Sequence, residues 1–238
     1  MRALILNSGM GKRMGALTSE HPKCMTELLH GETILSRQLR LLEGKGIHRV
    51  IITTGLFDDI LVNYCNSLNL NIEYTFVHNK QYAQTNYIYS MELAKQELDD
   101  DILLMHGDLV FTKQVLEQVL ACKSSCMAVS STVPLPEKDF KAVLGADGRI
   151  QKIGIDFFDS AVTAQPLYLL QQKDWNIWKA AISDFCARGE CSCYAETAFN
   201  TVSGMCKIYP LDVKNLLCQE IDTPEDLKTI RTILKDVE

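Results

Sequence analysis

Short apolar runs rich in β-branched side chains punctuate the chain at residues 3–7, 50–54, 72–77, 102–106, 127–132 and 149–155. Runs of this length fit strands buried on both faces, as in a parallel sheet covered by helices. Between them, apolar positions recur at helical spacing. A helix is predicted over 33–43, stopped by Gly44-Lys45-Gly46, and another over 85–98, with Asn86 as its cap. Further helices are predicted over 113–122, 174–187 and 223–237. In the last, Thr223 is the cap, Pro224 takes the first helical position and Asp226 completes a box-like pattern.

Strand–helix–strand alternation through the first 120 residues implies βαβ units. After Pro134 the pattern changes, and residues 137–140, 145–149 and 156–160 look like turns between strands. The expected fold is α/β and Rossmann-like: a mainly parallel sheet flanked by helices, with a smaller β-rich extension in the C-terminal half. One domain is expected over 1–238, in two halves that meet softly near 133/134.

Composition narrows the function. The chain has 238 residues, 47% apolar and 23% charged, which suits a packed globular protein. A net charge of -6 gives no polycationic footprint, so no nucleic-acid partner is expected. Any phosphate must be bound locally. Met1-Arg2-Ala3 runs straight into a strand, which argues against a signal peptide. No apolar run reaches the roughly 18 residues of a membrane span, so no membrane insertion is expected. Nine cysteines, an odd number, read as reduced thiols in a cytoplasmic protein. Cys191-Ser192-Cys193 and the Cys122/Cys126 pair lack the second half of a zinc site.

The first strand turns at once into Asn7-Ser8-Gly9-Met10-Gly11-Lys12-Arg13. In an open parallel sheet, ligands sit at the carboxyl ends of strands. Glycines there let backbone N–H groups turn toward a phosphate, and Lys12 and Arg13 add charged donors. The loop is built for an anion. A dinucleotide loop does not fit, because Gly9, Gly11 and Gly15 are spaced G-x-G-x-x-x-G and the residues that follow make a poor helix. A P-loop does not fit either, because Gly11-Lys12 is followed by Arg13.

Downstream come His21-Pro22-Lys23 and Met25-Thr26-Glu27-Leu28. The combination G-x-G-x-R-M … P-K before an amphipathic helix resembles the nucleotidyltransferases that activate sugar phosphates and alcohol phosphates. The resemblance implies that Gly9, Gly11, Lys12 and Arg13 hold the triphosphate of a nucleotide. It implies that Lys23 meets the α-phosphate or the incoming phosphate, which makes Arg13 and Lys23 the catalytic cations. Met10 belongs to the same loop. The family usually carries two alanines before the first glycine, where this chain has Asn7-Ser8, near the base.

Two acidic segments lie far apart. Ile102–His106 leads through Gly107 to Asp108, at the carboxyl end of a strand. Asp108 could cap a helix starting near Thr112, or hold Mg²⁺ on a triphosphate. Glu220-Ile221-Asp222-Thr223-Pro224-Glu225-Asp226-Leu227 precedes the last helix, and Asp222 or Thr223 could cap it. This segment resembles the C-terminal stretch in which the family's aspartate completes the metal site. The resemblance therefore implies Asp108 and Asp222 as Mg²⁺ ligands.

The middle segment N-x-x-Y-A-x-x-N-x-x-Y-S, from Asn79 to Ser90, resembles one branch of the family, the bacterial choline-phosphate and aminoethylphosphonate cytidylyltransferases. It implies Gln84, Thr85, Asn86 and Ser90 beside the nucleotide, with CTP as donor. Residues 1–133 would then bind nucleotide, and 134–238 would hold the acceptor and the final helix. An amine head group needs aromatic faces and a carboxylate. Tyr168, Tyr194 and Glu196 are candidates; Trp175 and Trp178 lie one turn apart and fit either a wall or the core. The implied partners are CTP and a small phosphorylated or phosphonate acceptor, in a monomer or homodimer.

Two other readings stand beside this one. A sugar-1-phosphate nucleotidyltransferase shares the loop, the lysine and both aspartates. A non-catalytic nucleotide-binding regulator on the same fold would usually have lost a metal aspartate or the loop cations, and this chain keeps Arg13, Lys23, Asp108 and Asp222.

Overall fold

A computed structural model describes residues 1–237. The chain runs β1 (Arg2–Leu6), α1 (Ile34–Glu43), β2 (Arg49–Thr54), α2 (Asp58–Ser67), β3 (Glu73–His78), α3 (Tyr87–Ala94) and β4 (Ile102–His106). It continues through β5 (Leu109–Phe111), α4 (Lys113–Leu120), β6 (Cys126–Ser130), β7 (Lys141–Leu144), β8 (Ile150–Gly154) and β9 (Ala161–Leu170). The last elements are α5 (Gln172–Ala187), α6 (Ala195–Val202), β10 (Tyr209–Asp212), β11 (Cys218–Glu220) and α7 (Pro224–Val237).

The main sheet runs β3-β2-β1-β4-β9-β6-β10. Strands β3, β2, β1 and β4 are parallel neighbours, while β9 is antiparallel to both β4 and β6. The expected mainly parallel sheet is present, and the C-terminal half adds the antiparallel strands. Hairpin β7–β8 attaches to the first half of β9. Residues 167–170 of β9 pair with β4, and 161–163 pair with β7. Pro166 falls between these two stretches, where it need not donate to a ladder.

Both faces of the sheet are buried, and the period-2 alternation of strands decides which core each residue joins. Ala3, Ile5, Leu103 and Met105 pack with Leu35, Leu39, Leu61 and Val115 of α1, α2 and α4. Leu4, Leu6, Ile102 and Leu104 face the other way, against Ile88, Met91, Trp175 and Phe199 of α3, α5 and α6. Trp175 and Trp178 are fully buried and donate their indole N–H groups to the carbonyls of Leu98 (2.8 Å) and Ala195 (2.9 Å). They belong to the core and form no wall of a site.

Most predicted elements lie close to their observed positions. The helix expected over 85–98 is shorter: α3 ends at Ala94 and a 3₁₀ turn, Lys95–Glu97, follows. Asn86 caps it, accepting from the Tyr87 N–H. At α7, Thr223 Oγ1 accepts from Asp226 N, and Asp226 Oδ2 accepts from Thr223 N and Asp222 N. The box read in the sequence forms, and it fixes the backbone at Asp222. No helix of the described residues is long and apolar enough to cross a membrane.

Candidate active site

The loop after β1 does not enter an α-helix. Gly11 takes φ +62, and a 3₁₀ segment, Lys12–Thr18, follows with a non-helical break at Gly15. A Cβ on Gly11 would also crowd Lys23 Cβ at 3.3 Å, so the glycine lets the lysine segment come close. Lys23 opens a short 3₁₀ turn, Lys23–Met25, directly after Pro22.

A two-stranded antiparallel ribbon brings the distant aspartates together. β11 pairs with β5 with Glu220 opposite Leu109, and Ile221 N donates to Asp108 O at 3.0 Å. The turn at Gly107 is tied to β1 by its N–H to Leu6 O, 3.0 Å. Gly107 has no room for a side chain: a Cβ there would lie 1.6 Å from Asn7 Oδ1. Asn7 Nδ2 is buried with no hydrogen-bond partner among the described residues.

Lys23 Nζ lies 2.6 Å from Asp108 Oδ2 and 2.5 Å from Asp222 Oδ1. Arg13 Nη1 lies 2.8 Å from Asp222 Oδ2. Burial opposes the Lys23 charge, but the two aspartates outweigh it and raise its pKa. Burial likewise pushes Asp108 up, and Lys23 and His106 more than offset this, holding the carboxyl below its usual range. Beside them, His106 Nδ1 pairs with Glu220 Oε1 at 2.9 Å. Burial works against the imidazolium, yet this bond and the charge of Glu220 bring His106 up to about 9. Burial, together with the Asp108 charge, pushes Glu220 up to about 7. The donor atoms of His106, Asp108 and Glu220 all lie within 4.8 Å of one another.

Two cavities meet at Asp108. One, of about 310 Å³, is walled by the loop from Asn7 to Arg13 (Ser8 excepted), with Lys23 and Asp108. The other, of about 230 Å³, is reached by Ser8, Gly9 and Arg13 on one side and Asp108 and Asp222 at its edge. Its far wall is aromatic. Tyr87, Phe140 and Tyr194 line it with His106, and their rings touch: Phe140–Tyr194 centroids are 5.1 Å apart and Tyr87–His106 4.8 Å.

The structure distributes the predicted residues unevenly. Thr85 and Asn86 line the aromatic cavity, whereas Gln84 is exposed and lines neither. Ser90 is fully buried behind the wall, bonded to Ser8 Oγ at 2.7 Å and to Asn79 Nδ2 at 3.0 Å. It props the loop and does not face the cavity. Tyr194 lines the cavity, but Tyr168 and Glu196 do not, and both are buried. The Glu196 carboxylate accepts from the hydroxyls of Tyr168 (2.8 Å) and Tyr87. Its place beneath Tyr87 follows from α6, which begins at Ala195 and turns its first acidic residue inward. Burial and this carboxylate push both phenols well up, so both stay neutral donors.

Tyr87, Phe140, His106 and Glu220 were not singled out from the sequence. For the last two a signal exists: each stands two residues before an aspartate already marked, His106 before Asp108 and Glu220 before Asp222.

Turned backbone and cations thus face paired carboxylates, with a second small cavity opening alongside. Residues 3–171 match the MobA-like NTP transferase domain, and the chain belongs to that family. It is 33% identical over 135 residues to a CMP-5'-(3-aminopropyl)phosphonate synthase of Streptomyces rubellomurinus, covering 57% of this chain and 21% of that protein. It is 27% identical over 169 residues to the CTP:phosphoglutamine cytidylyltransferase of Campylobacter jejuni, covering 65% of each. The match to a choline-phosphate cytidylyltransferase of Haemophilus influenzae is 26% over 156 residues, 65% of this chain and 63% of that one. The chain thus spans less than two thirds of each of these relatives. The solved structure of a CTP:phosphocholine cytidylyltransferase from Streptococcus pneumoniae shares the fold, with TM-score 0.78, 20% identity and 98% of each chain covered.

Proposed function

We propose that the protein transfers CMP from CTP to a small amine-bearing phosphate or phosphonate, releasing pyrophosphate, with Mg²⁺ as cofactor. The observation that carries this reading is the junction at Asp108 of two unlike cavities, one cationic and one aromatic and acidic. Relatives named for aminopropylphosphonate, phosphoglutamine and choline phosphate support a cytidyl donor and a small zwitterionic acceptor.

In this reading the loop from Asn7 to Arg13 holds the triphosphate through backbone N–H groups and the charges of Lys12 and Arg13. Asp108 and Asp222 would hold the ion. They fit it: both are hard oxygen donors that already converge on one cation, the Lys23 ammonium. A bound Mg²⁺ supplies neutralisation of phosphate charge. The acceptor's phosphate or phosphonate oxygen bonds to the α-phosphorus as the bridge to the β-phosphate breaks, and pyrophosphate leaves with the electron pair. That nucleophile is already an anion at neutral pH, so no general base is needed. The residues align the two substrates and offset their charge. Tyr87, Phe140 and Tyr194 give the amine π faces, and Glu220 gives it a carboxylate. This replaces Tyr168 and Glu196 as contacts: Glu196 acts through Tyr87, by fixing its ring.

The test is pyrophosphate release with Mg²⁺, crossing CTP, UTP, dTTP and GTP against phosphocholine, phosphoethanolamine, 2-aminoethylphosphonate and glucose-1-phosphate. Turnover with CTP and an amine-bearing acceptor is expected. Turnover only with glucose-1-phosphate would move the protein to the sugar-activating branch. Nucleotide binding without turnover on any acceptor would favour a regulator.

A further inference from the structure

Lys23 lines the cavity walled by the loop from Asn7 to Arg13, yet its ammonium is turned onto two carboxylates. Its side chain is 12% exposed, and its ammonium is bonded to Asp108 Oδ2 at 2.6 Å and Asp222 Oδ1 at 2.5 Å. An ion bridging these two oxygens would sit where the ammonium sits. Mg²⁺ binds oxygen at about 2.0–2.1 Å, so an ion between these carboxylates leaves no space for the ammonium. The two cations would also repel strongly at such a separation in a partly desolvated site. Arg13, bonded to the other oxygen of Asp222, can stay.

We propose that Lys23 and the divalent ion are alternative occupants of the Asp108–Asp222 pair, and that the triphosphate decides between them. This rests on the reading of those aspartates as metal ligands. Without nucleotide, Lys23 neutralises both carboxylates and excludes free metal. Phosphate oxygens arriving in the adjoining cavity, which Lys23 also lines, offer the ammonium a new partner and the ion further ligands. Metal and nucleotide then raise one another's affinity, and by linkage the effect is reciprocal. One residue serves in turn as a stand-in for the ion and as a phosphate ligand.

The test is calorimetric titration of Mn²⁺ into nucleotide-free protein, comparing wild type, Lys23→Met and Lys23→Arg. Lys23→Met, which keeps length and loses charge, is expected to bind free Mn²⁺ at least about tenfold tighter than wild type. Lys23→Arg keeps the cation and should stay near wild type. Adding Asp108→Asn to Lys23→Met should abolish the gain, which would place the ion at this pair. If Lys23→Met folds poorly, Mn²⁺ alone should raise its melting temperature while leaving that of wild type unchanged. Equal or weaker Mn²⁺ binding by Lys23→Met, or no such rescue, overturns the proposal. The comparison needs no turnover, so it reads the exchange even if the cytidylyl assignment fails. Normal turnover of CTP with no gain in Lys23→Met would sink the exchange alone.

Discussion

The two cavities that meet at Asp108 are made in different ways. The cavity proposed for the triphosphate is walled mainly by a continuous stretch of loop plus one lysine 10 residues after Arg13. Its working parts are backbone and formal charge. The cavity proposed for the acceptor's head group is assembled from α3, the end of β4, the segment before β7, the start of α6 and the end of β11. Its working parts are ring faces whose tilt depends on neighbours: Tyr87 is set by Glu196, and Tyr194 by Phe140 and Tyr87. A contiguous motif suits a ligand common to a whole family, the triphosphate. A dispersed wall can change one side chain at a time, which suits the part of the reaction that differs among relatives.

That contrast can be broken experimentally. The largest effect should come from Asp108→Asn, where turnover is expected to drop by about 1,000-fold or more with every acceptor. The melting temperature should move little, because Asp222 still pairs Lys23 and Arg13. A parallel loss of stability and rate would make Asp108 a structural residue. Next, Tyr194→Ala should raise the KM of an amine-bearing acceptor by about tenfold, in line with a lost cation–π contact. The KM for CTP should stay within about twofold. Equal changes in both would show that the two cavities are not separate subsites.

Gly107→Ala probes the seam between them. Its methyl group would overlap Asn7, and a loss of about 1–3 kcal/mol of stability is expected. Thermal or urea melts should show part of that loss recovered in the Asn7→Ala, Gly107→Ala double variant. The smallest effect concerns the packing beneath both sides. Cys24, Cys65, Cys126, Cys206 and Cys218 are buried, and burial pushes the thiols of Cys65 and Cys206 up to about 12. A thiol reagent at neutral pH should therefore label at most four of the nine cysteines in the native protein, rising to nine in denaturant.

The same contrast explains what could be read from sequence. The loop, Lys23, Asp108 and Asp222 carry chemistry in residue type and local order, so they stand out before any fold is known. The pairing of Asp108 with Asp222 depends on a three-residue ribbon, too short to show a pattern. α2 and α6 escaped because neither begins with a side-chain cap: Phe57 and Tyr194 occupy those positions and make no capping hydrogen bond. β9 escaped because it contains Pro166, which a register shift accommodates. Tyr168 and Glu196 suggest an acceptor pocket by residue type, but no sequence pattern says that they face each other inside the core, with Tyr87 between Glu196 and the cavity. The alternation of Leu4 and Leu6 against Ala3 and Ile5 was legible as a strand, whereas the identity of the helices on each face was not.

The most direct test removes only the amine. Pyrophosphate release from CTP with Mg²⁺ should be compared for 2-aminoethylphosphonate and ethylphosphonate, which share the attacking group and differ in the charged nitrogen. A kcat/KM at least about tenfold higher for the amine-bearing acceptor is predicted, because only that one uses the ring wall and Glu220. Equal kcat/KM for the two, or turnover confined to the amine-free compound, would contradict the account.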